Sequence, residues 1–383
     1  MLGWEFPPHI SGGLGTACAG IVRGLAGQGV RVLFVLPRLA GGEQAAGAEI
    51  VGADVEMRAV PSRLQPYEPF AAPRLRGLYG RDLEAEVDRY ADAVARIAAR
   101  ERFDVVHAHD WMTWPAAIRA ARAAGVPLVV HVHSLEHDRA GPRANPAIAS
   151  IEQRGLDAAD AIVSVSRYTA DQVKRRYRAD PAKLRVVHNA TSPGDSPPPP
   201  RGPRNIDDPV VLFLGRVTYQ KGPEAFLEAA ARVVRVLPRV KFVVAGSGDL
   251  LPALVERAAR LGLARHVHFT GFLRGADVEK AWSAADVFVM PSVSEPFGIA
   301  PLEAAAREVP AIVSRQSGVT EVLHGALVVD SWDVPDLADK ILALLHRAPL
   351  RRELVARGLV DTARLTWEGQ AGLLRRVYEE IVP

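Results

Sequence analysis

The stretch "PVVLFLGRVTYQKG", residues 209–222, decides the fold. Its short apolar run ends abruptly at Gly215 and Arg216, as a parallel strand buried on both faces does where it opens onto a loop. A helical pattern follows over 222–236. The same rhythm returns downstream in "VKFVVAGSG", "HVHFTG", "DVFVMPS", "PAIVS" and "ALVVD", with helical stretches such as 275–284 between them. Upstream it is present at 30–37, 103–110, 126–134 and 159–166. Between the first two of these, Leu83, Val87, Tyr90, Val94 and Ile97 recur at spacings of four and three, which predicts a helix with one buried face. Two α/β units of similar build therefore follow one another. They are separated by "TSPGDSPPPPRGPRN" (191–205), whose Pro and Gly favour an extended connector and mark a hinge. The repeats differ in length and share no consensus, which excludes a short-period solenoid.

Composition narrows the function. A chain of 383 residues suits two domains, and 48% hydrophobic with 24% charged residues is an ordinary globular balance. The 47 basic and 44 acidic residues leave a net charge of +3, which provides no bulk field for nucleic acid or an anionic membrane. A single cysteine, Cys18, excludes an internal disulfide and fits a reducing compartment. No run approaches the roughly 20 apolar residues of a membrane span, and the N-terminus lacks a basic-then-apolar signal pattern. These features lead to the expectation of a cytoplasmic protein.

Ligands of open parallel sheets bind beyond the carboxyl ends of the strands, so the strand-end residues carry the chemistry. In the second unit these are Gly215-Arg216, Gly246-Ser247-Gly248, Gly271-Phe272 and Pro291-Ser292 running into Glu295. In the first they are His107, His109 and Asp110, then His131, His133, Ser134 and Glu136. Arg216 and Lys221, five residues apart in a loop closed by Gly222, suit a diphosphate, Arg as a bidentate fork and Lys as a movable charge. On position alone they read as well as surface cations of a solvated loop. "HISGGLGTA" (9–17) places Gly12, Gly13 and Gly15 ahead of a helix expected to start near Ala17, so that backbone N–H groups could meet phosphate; a tight turn is the equal alternative. It is neither a Walker loop nor a regular dinucleotide fingerprint. In "SVSEPFGIAPLEAA" (292–305), Glu295 and Glu303 bracket an apolar turn, although unpaired buried carboxylates are costly. Two carboxylates at a helix N-terminus would explain Glu295 in part but not Glu303.

"GGLG" (12–15), "GR" and "QKG" after the first strand of the second unit, and above all "EPFGIAPLE" (295–303) together resemble the retaining glycosyltransferases of family 4 and the glycogen-synthase-like group. The resemblance covers essentially the whole chain; "HAHDW" and "SLEHDRAG" are its less specific parts. It implies a GT-B fold, two doubly wound Rossmann-like domains facing each other across a cleft. The expected divisions are an acceptor-side domain at 1–190, a linker at 191–208, a nucleotide-sugar domain at 209–365, and a C-terminal helix at 366–383 returning toward the first domain. The implied reaction moves a sugar, most simply glucose, from ADP- or UDP-glucose to a carbohydrate acceptor with retention, an α-glucan being preferred over a lipid, sugar phosphate or polyol.

By the same resemblance Arg216 and Lys221 stabilise the leaving diphosphate, Glu295 faces the sugar, and Glu303 accepts hydrogen bonds from the ribose. Gly246, Phe272, Phe297, Gly298 and Ile299 line the donor, with Gly12 and Gly13 adding amides from the other domain. A strand-end histidine meets the donor sugar. His133 fits this better than His131, because alternation points both the same way and only the later one reaches the strand end. Asp110 and Glu136 are acceptor-side candidates, with surface loop roles as the equal alternative. The nucleotide sugar is a co-substrate, and neither a metal nor another cofactor is called for. Two rivals remain open. The cluster His107, His109, Asp110, His131, His133, His137 and Asp138 has the residue types of a metal-dependent hydrolase, and the same architecture would serve a nucleotide-sugar epimerase or binding protein. A last expectation concerns the start: only "MLGWEF" precedes "PPHISGG", where a phosphate-binding loop normally follows a full buried strand, so the chain reads as beginning late.

Overall fold

A computed structural model describes residues 1–9, 12–37, 39, 41–44, 48–52, 83–191 and 208–383. They divide into two compact units, one holding the residues up to Ala190 together with Thr366–Pro383, the other Thr191–Leu365. The linker expected at 191–208 lies outside the described residues except at its two ends.

The first unit opens with α1 (Gly13–Ala26), β1 (Val32–Leu36), β2 (Ala48–Gly52), α2 (Leu83–Ala98) and β3 (Val106–His109). It continues through α3 (Trp114–Ala124), β4 (Leu128–Val132), α4 (Glu136–Ala140), α5 (Pro146–Ala158), β5 (Ala161–Ser164), α6 (Arg167–Arg176) and β6 (Leu184–Val186). β3, β4, β5 and β6 pair in that order and in parallel, and β1 pairs with β2. Residues Met1–Gly3 lie between β1 and β3. Leu2 donates to the His107 carbonyl (2.8 Å) and accepts from the His109 amide (3.0 Å), while Gly3 donates to Val35 (3.1 Å) and Met1 accepts from it (2.9 Å). Where a full central strand was expected, three residues make the pairing. The α2 face forms as its spacing predicts: Val87, Tyr90 and Val94 join Trp114, Val130 and Ile162 in one core.

The second unit runs β7 (Val210–Leu214), α7 (Pro223–Val236), β8 (Lys241–Ala245), α8 (Leu251–Arg260), β9 (Val267–Gly271), α9 (Ala276–Ala284) and β10 (Val287–Met290). It is completed by α10 (Ala300–Ala306), β11 (Ala311–Ser314), β12 (Ala326–Val329), α11 (Val334–His346) and α12 (Ala348–Arg364). All six strands are parallel, in the order β12-β11-β10-β7-β8-β9. Strand order reverses between β7 and β10, so the loops leaving these two strands diverge around the crevice where doubly wound sheets bind ligands. Phe213, Phe226 and Phe242 pack at 5.5–5.6 Å between ring centroids beneath this sheet.

The last helix, α13 (Trp367–Ile381), belongs to the first unit and packs along α1. Thr366 caps it, accepting from the Gly369 amide at 3.1 Å. The close approach depends on small residues: a Cβ on Gly20 would sit 2.2 Å from the Trp367 ring, and one on Gly24 would sit 2.6 Å from the Trp367 carbonyl oxygen. Gly20→Ala should therefore lower unfolding stability by about 1–3 kcal/mol, the usual cost of overpacking. Urea unfolding followed by tryptophan fluorescence measures it, and an unchanged midpoint would show that Trp367 can turn aside.

Candidate active site

In the second unit the strand ends lie in one row. Leu214 of β7 pairs with Ala245 of β8, which pairs with Gly271 of β9. Gly215 and Gly246, the next residues after β7 and β8, approach so closely that a Cβ on Gly246 would lie 1.8 Å from the Gly215 carbonyl oxygen, and Gly246 has φ +150°. Only glycine fits there.

At the switch point, the loops leaving β7 and β10 are knitted together. Val293 donates to the Gln220 carbonyl at 2.9 Å, and Gly222, at φ +63°, leaves no room for a Cβ against the Pro291 carbonyl oxygen, 2.1 Å away. Between the loops, Lys221 Nζ meets Glu295 Oε2 at 2.5 Å, with the side chains 19% and 8% exposed. Ser292 Oγ donates to the same carboxylate oxygen at 3.2 Å. Arg216 is held beside them by Gln220, to which it donates at 3.0 Å. Of the expected residues, Lys221 and Glu295 are thus brought together, and Arg216 is tied to Gln220 of the same loop as Lys221. Glu295 does not cap a helix; it is the partner of Lys221.

Glu303 lies in the first turn of α10, one helix turn from the N-cap Ile299, which offers no side-chain cap. Burial raises its carboxyl above the ordinary range, opposed by Arg307 and aided by Glu279. Arg307 itself is gripped by Glu279 at 2.7 and 2.9 Å. Phe297 is buried, Gly298 has φ +98°, and Ile299 is half-buried; the Ile299 carbonyl accepts from the amides of Leu302 (2.9 Å) and Glu303 (3.0 Å), and Pro301 has no amide to offer. Phe272 follows β9 exposed (41%), with the Arg274 guanidinium 5.2 Å from its ring centroid.

In the first unit the helix expected near Ala17 begins earlier, at Gly13, with Gly12 as an extended N-cap. The Gly15 amide, inside its first turn, is taken by the Glu5 carboxylate at 2.9 Å, a contact the glycine motif did not reveal. The strand-end histidines converge. His109 and His131 are in register on β3 and β4, and the rings of His107, His109, His131 and His133 stack on one face at 4.2–5.3 Å between neighbouring centroids. His131 is buried within β4, whereas His133 lies half-buried beyond its end. His107 Nε2 meets His131 Nδ1 at 3.1 Å, His109 Nδ1 meets His133 Nε2 at 2.9 Å, and His107 Nδ1 meets the Tyr378 hydroxyl of α13 at 2.5 Å. Burial pushes all four imidazoles down, His133 to about 3. The Nε2 atoms of His109 and His131 have no hydrogen-bond partner, a cost of about 1–3 kcal/mol each.

Asp110, at φ +59°, is also buried. Its carboxylate accepts from the amides of His133 (2.7 Å) and Ser134 (3.2 Å), and burial lifts it to about 6 against the pull of Arg139. It holds the His133 loop in place. Glu136 departs from the acceptor-side expectation: its side chain is 2% exposed, paired with Arg139 at 3.4 Å and accepting from the Asn145 amide at 3.1 Å. It is turned inward because Arg139, 5% exposed and bound also to Glu152 at 3.0 Å, needs buried counter-charge. Sequence reasoning missed Glu152, which receives the Tyr177 hydroxyl, the Glu136 amide at 2.8 Å and Arg139. A glutamate on a helix looks like any surface residue, and nothing in its spacing marks it as buried.

Residues 199–359 match the family "Glycosyl transferases group 1", and residues 12–190 match "Glycosyl transferase 4-like domain". The chain is 31% identical over 333 residues to D-inositol 3-phosphate glycosyltransferase of Stackebrandtia nassauensis, covering 80% of this chain and 75% of the relative. The chain belongs to the group 1 glycosyltransferases. It is 28% identical over 396 residues to glycogen synthase of Mycobacterium tuberculosis, covering 99% of this chain and 93% of the relative. Among solved structures it is similar to Anabaena HepE in complex with UDP and glucose, with a TM-score of 0.72 at 16% identity over 99% of this chain and 98% of that one. The fold is GT-B and the protein is a hexosyltransferase. Among the described residues no helix is long and apolar enough to cross a membrane.

The Glu152 network generates a pH prediction. Burial raises this carboxyl from 4.5 to about 7, ahead of the opposing Arg139, so the folded protein holds a proton there that the unfolded chain releases. Its contribution to stability is therefore full below pH 4.5 and falls as pH rises through about 7. Glu152→Gln, neutral at every pH, should gain stability relative to the parent protein across that window and level off above it. Urea midpoints at a series of pH values test this; a variant that loses ground as pH rises would mean that Arg139 outweighs burial.

Proposed function

We propose that this glycosyltransferase moves glucose from a nucleoside diphosphate sugar to a carbohydrate acceptor with retention of anomeric configuration, an α-glucan being the preferred acceptor. The observation that carries the reading is the Lys221–Glu295 ion pair at the switch point of the second sheet, with Arg216 bound to Gln220 in the loop that carries Lys221. As the bond from C1 to the diphosphate breaks, negative charge gathers on the leaving oxygens while the sugar becomes oxocarbenium-like. Arg216 and Lys221 are the groups proposed to stabilise that charge. The acceptor hydroxyl oxygen forms the new bond to C1 and gives up its proton to the departing diphosphate oxygen. Glu295 orients Lys221 and lies on the side proposed for the sugar. Glu303 is proposed to accept from the ribose hydroxyls, with the Phe297-Gly298-Ile299 turn supplying amides and Gly246 and Phe272 lining the donor. In the first unit, His133 is the proposed contact to the transferred sugar, and it is neutral at working pH because of its burial. Gly12 and Gly13 remain candidates for phosphate amides. No metal takes part in the proposed transfer.

The relatives support two acceptors. One is named a glycogen synthase and another acts, by its name, on D-inositol 3-phosphate, so a phosphorylated polyol is the second reading. The HepE structure holds UDP and glucose, which favours a uridine donor on that side of the comparison. A panel of ADP-, UDP- and GDP-sugars crossed with glycogen, maltose and inositol phosphate, scored by diphosphate release and product isolation, decides among them. Diphosphate released only with glucan supports the first reading, and a donor converted without diphosphate release would make the protein an epimerase.

Lys221→Ala should lower turnover by about 100- to 1,000-fold, the usual effect of removing one preorganised charge-stabilising group. Because Glu295 then loses a buried partner, melting should fall as well. Glu303→Ala should chiefly weaken donor binding, since a ribose contact is similar in ground and transition states. Steady-state kinetics separate the two; a large loss of turnover in Glu303→Ala at saturating donor would move that residue into the chemistry.

A further inference from the structure

The four stacked histidines of the first unit contain more nitrogen lone pairs than their hydrogen bonds use. Among the described residues, His107, His109 and His131 are the one group of potential ligand side chains whose atoms converge, all within 4.8 Å of one another and all buried. We propose that His107 Nε2, His131 Nδ1 and His109 Nε2 form a binding site for a divalent transition metal. The first two nitrogens share a hydrogen bond at 3.1 Å, a separation close to the about 3.3 Å expected for two imidazoles on one tetrahedral zinc, so that the ion would take the place of the proton between them. His109 Nε2 is buried and has no other partner.

The outer contacts fit the same assignment for two of the three rings, His107 and His109, while His131 Nε2 has no partner. Metal-bound histidines donate their second ring N–H to an acceptor that fixes the ring. His107 Nδ1 reaches the Tyr378 hydroxyl and His109 Nδ1 reaches His133 Nε2, at 2.5 and 2.9 Å. Three neutral nitrogen donors without carboxylate or thiolate select zinc, nickel, cobalt or copper over magnesium and calcium. Such an ion would tie the ends of β3 and β4 to α13 through Tyr378 and set the orientation of His133 through His109. It would act on structure, apart from the transfer step, so the inference does not rest on the proposed reaction.

The test uses full-length protein without a histidine tag, freed of loosely held metal by gel filtration. Elemental analysis should approach one zinc, nickel, cobalt or copper per chain. Chelation should lower the melting temperature, zinc should restore it, and cobalt should give the visible absorption of a tetrahedral nitrogen site. His109→Leu and His131→Val should abolish stoichiometric metal, whereas His137→Gln, a histidine outside the cluster, should retain it. Tyr378→Phe should weaken affinity by about 10- to 100-fold. Metal-free protein whose melting ignores all four ions, or stoichiometric metal persisting in His109→Leu and His131→Val, would overturn the proposal. If a variant does not fold by circular dichroism, the parent protein's stoichiometry and cobalt spectrum decide.

Discussion

The ion pair between Lys221 and Glu295 is the interaction on which the proposed donor site depends. Both residues leave strands that flank the switch point, so the pair joins loops that would otherwise diverge. Buried ion pairs gain little net stability against desolvation, yet removing one partner costs about 3–5 kcal/mol because the other is left uncompensated. The arrangement therefore reads as positioning. Lys221 is held by Glu295 and Arg216 is braced by Gln220, which is the preorganisation that the proposed stabilisation of a leaving group requires. The backbone meets the same constraint: Gly222 against Pro291 and Gly246 against Gly215 let the loops close to distances that any side chain would prevent.

The first unit solves a related problem with polar groups. The loop after β4 carries His133, and it is pinned from two sides, by the Asp110 carboxylate on the amides of residues 133 and 134 and by the Glu136–Arg139–Glu152 cluster. These are buried charges in a segment with few apolar residues. They hold the loop in one conformation through satisfied hydrogen bonds, where packing alone would leave it free to shift. The α1–α13 contact adds a helix from the far end of the chain, and Tyr378 carries that contact to His107.

Much of this was legible in the sequence because buried parallel strands advertise themselves. The apolar runs ending in Gly215, Gly246 and Gly271 became β7, β8 and β9, and the face of Val87, Tyr90 and Val94 became the buried side of α2. The pairing of Lys221 with Glu295 was not legible, since 74 residues separate them and only the strand order brings them together. Glycines read as loop in a sequence, which puts the expected start of α1 late, whereas Gly13 and Gly15 belong to the helix and Glu5 holds its first turn. The loop position of Glu136 suits an acceptor-side or surface role, yet Arg139 draws the side chain inward. Short or edge strands such as β2 and β6 carry too few apolar residues to announce themselves, and residues 1–3 pair by backbone alone.

The central claim is that the switch point of the second sheet receives the diphosphate of the donor. Isothermal titration of UDP and ADP into the intact protein, compared with Arg216→Ala, addresses it directly. The account predicts that at least one nucleoside diphosphate binds, that the matching nucleoside binds far more weakly, and that Arg216→Ala loses about tenfold or more in affinity with its fold intact, as expected when a charge-assisted contact worth about 1.5–3 kcal/mol is removed. Equal affinity for diphosphate in the parent protein and in Arg216→Ala would contradict it.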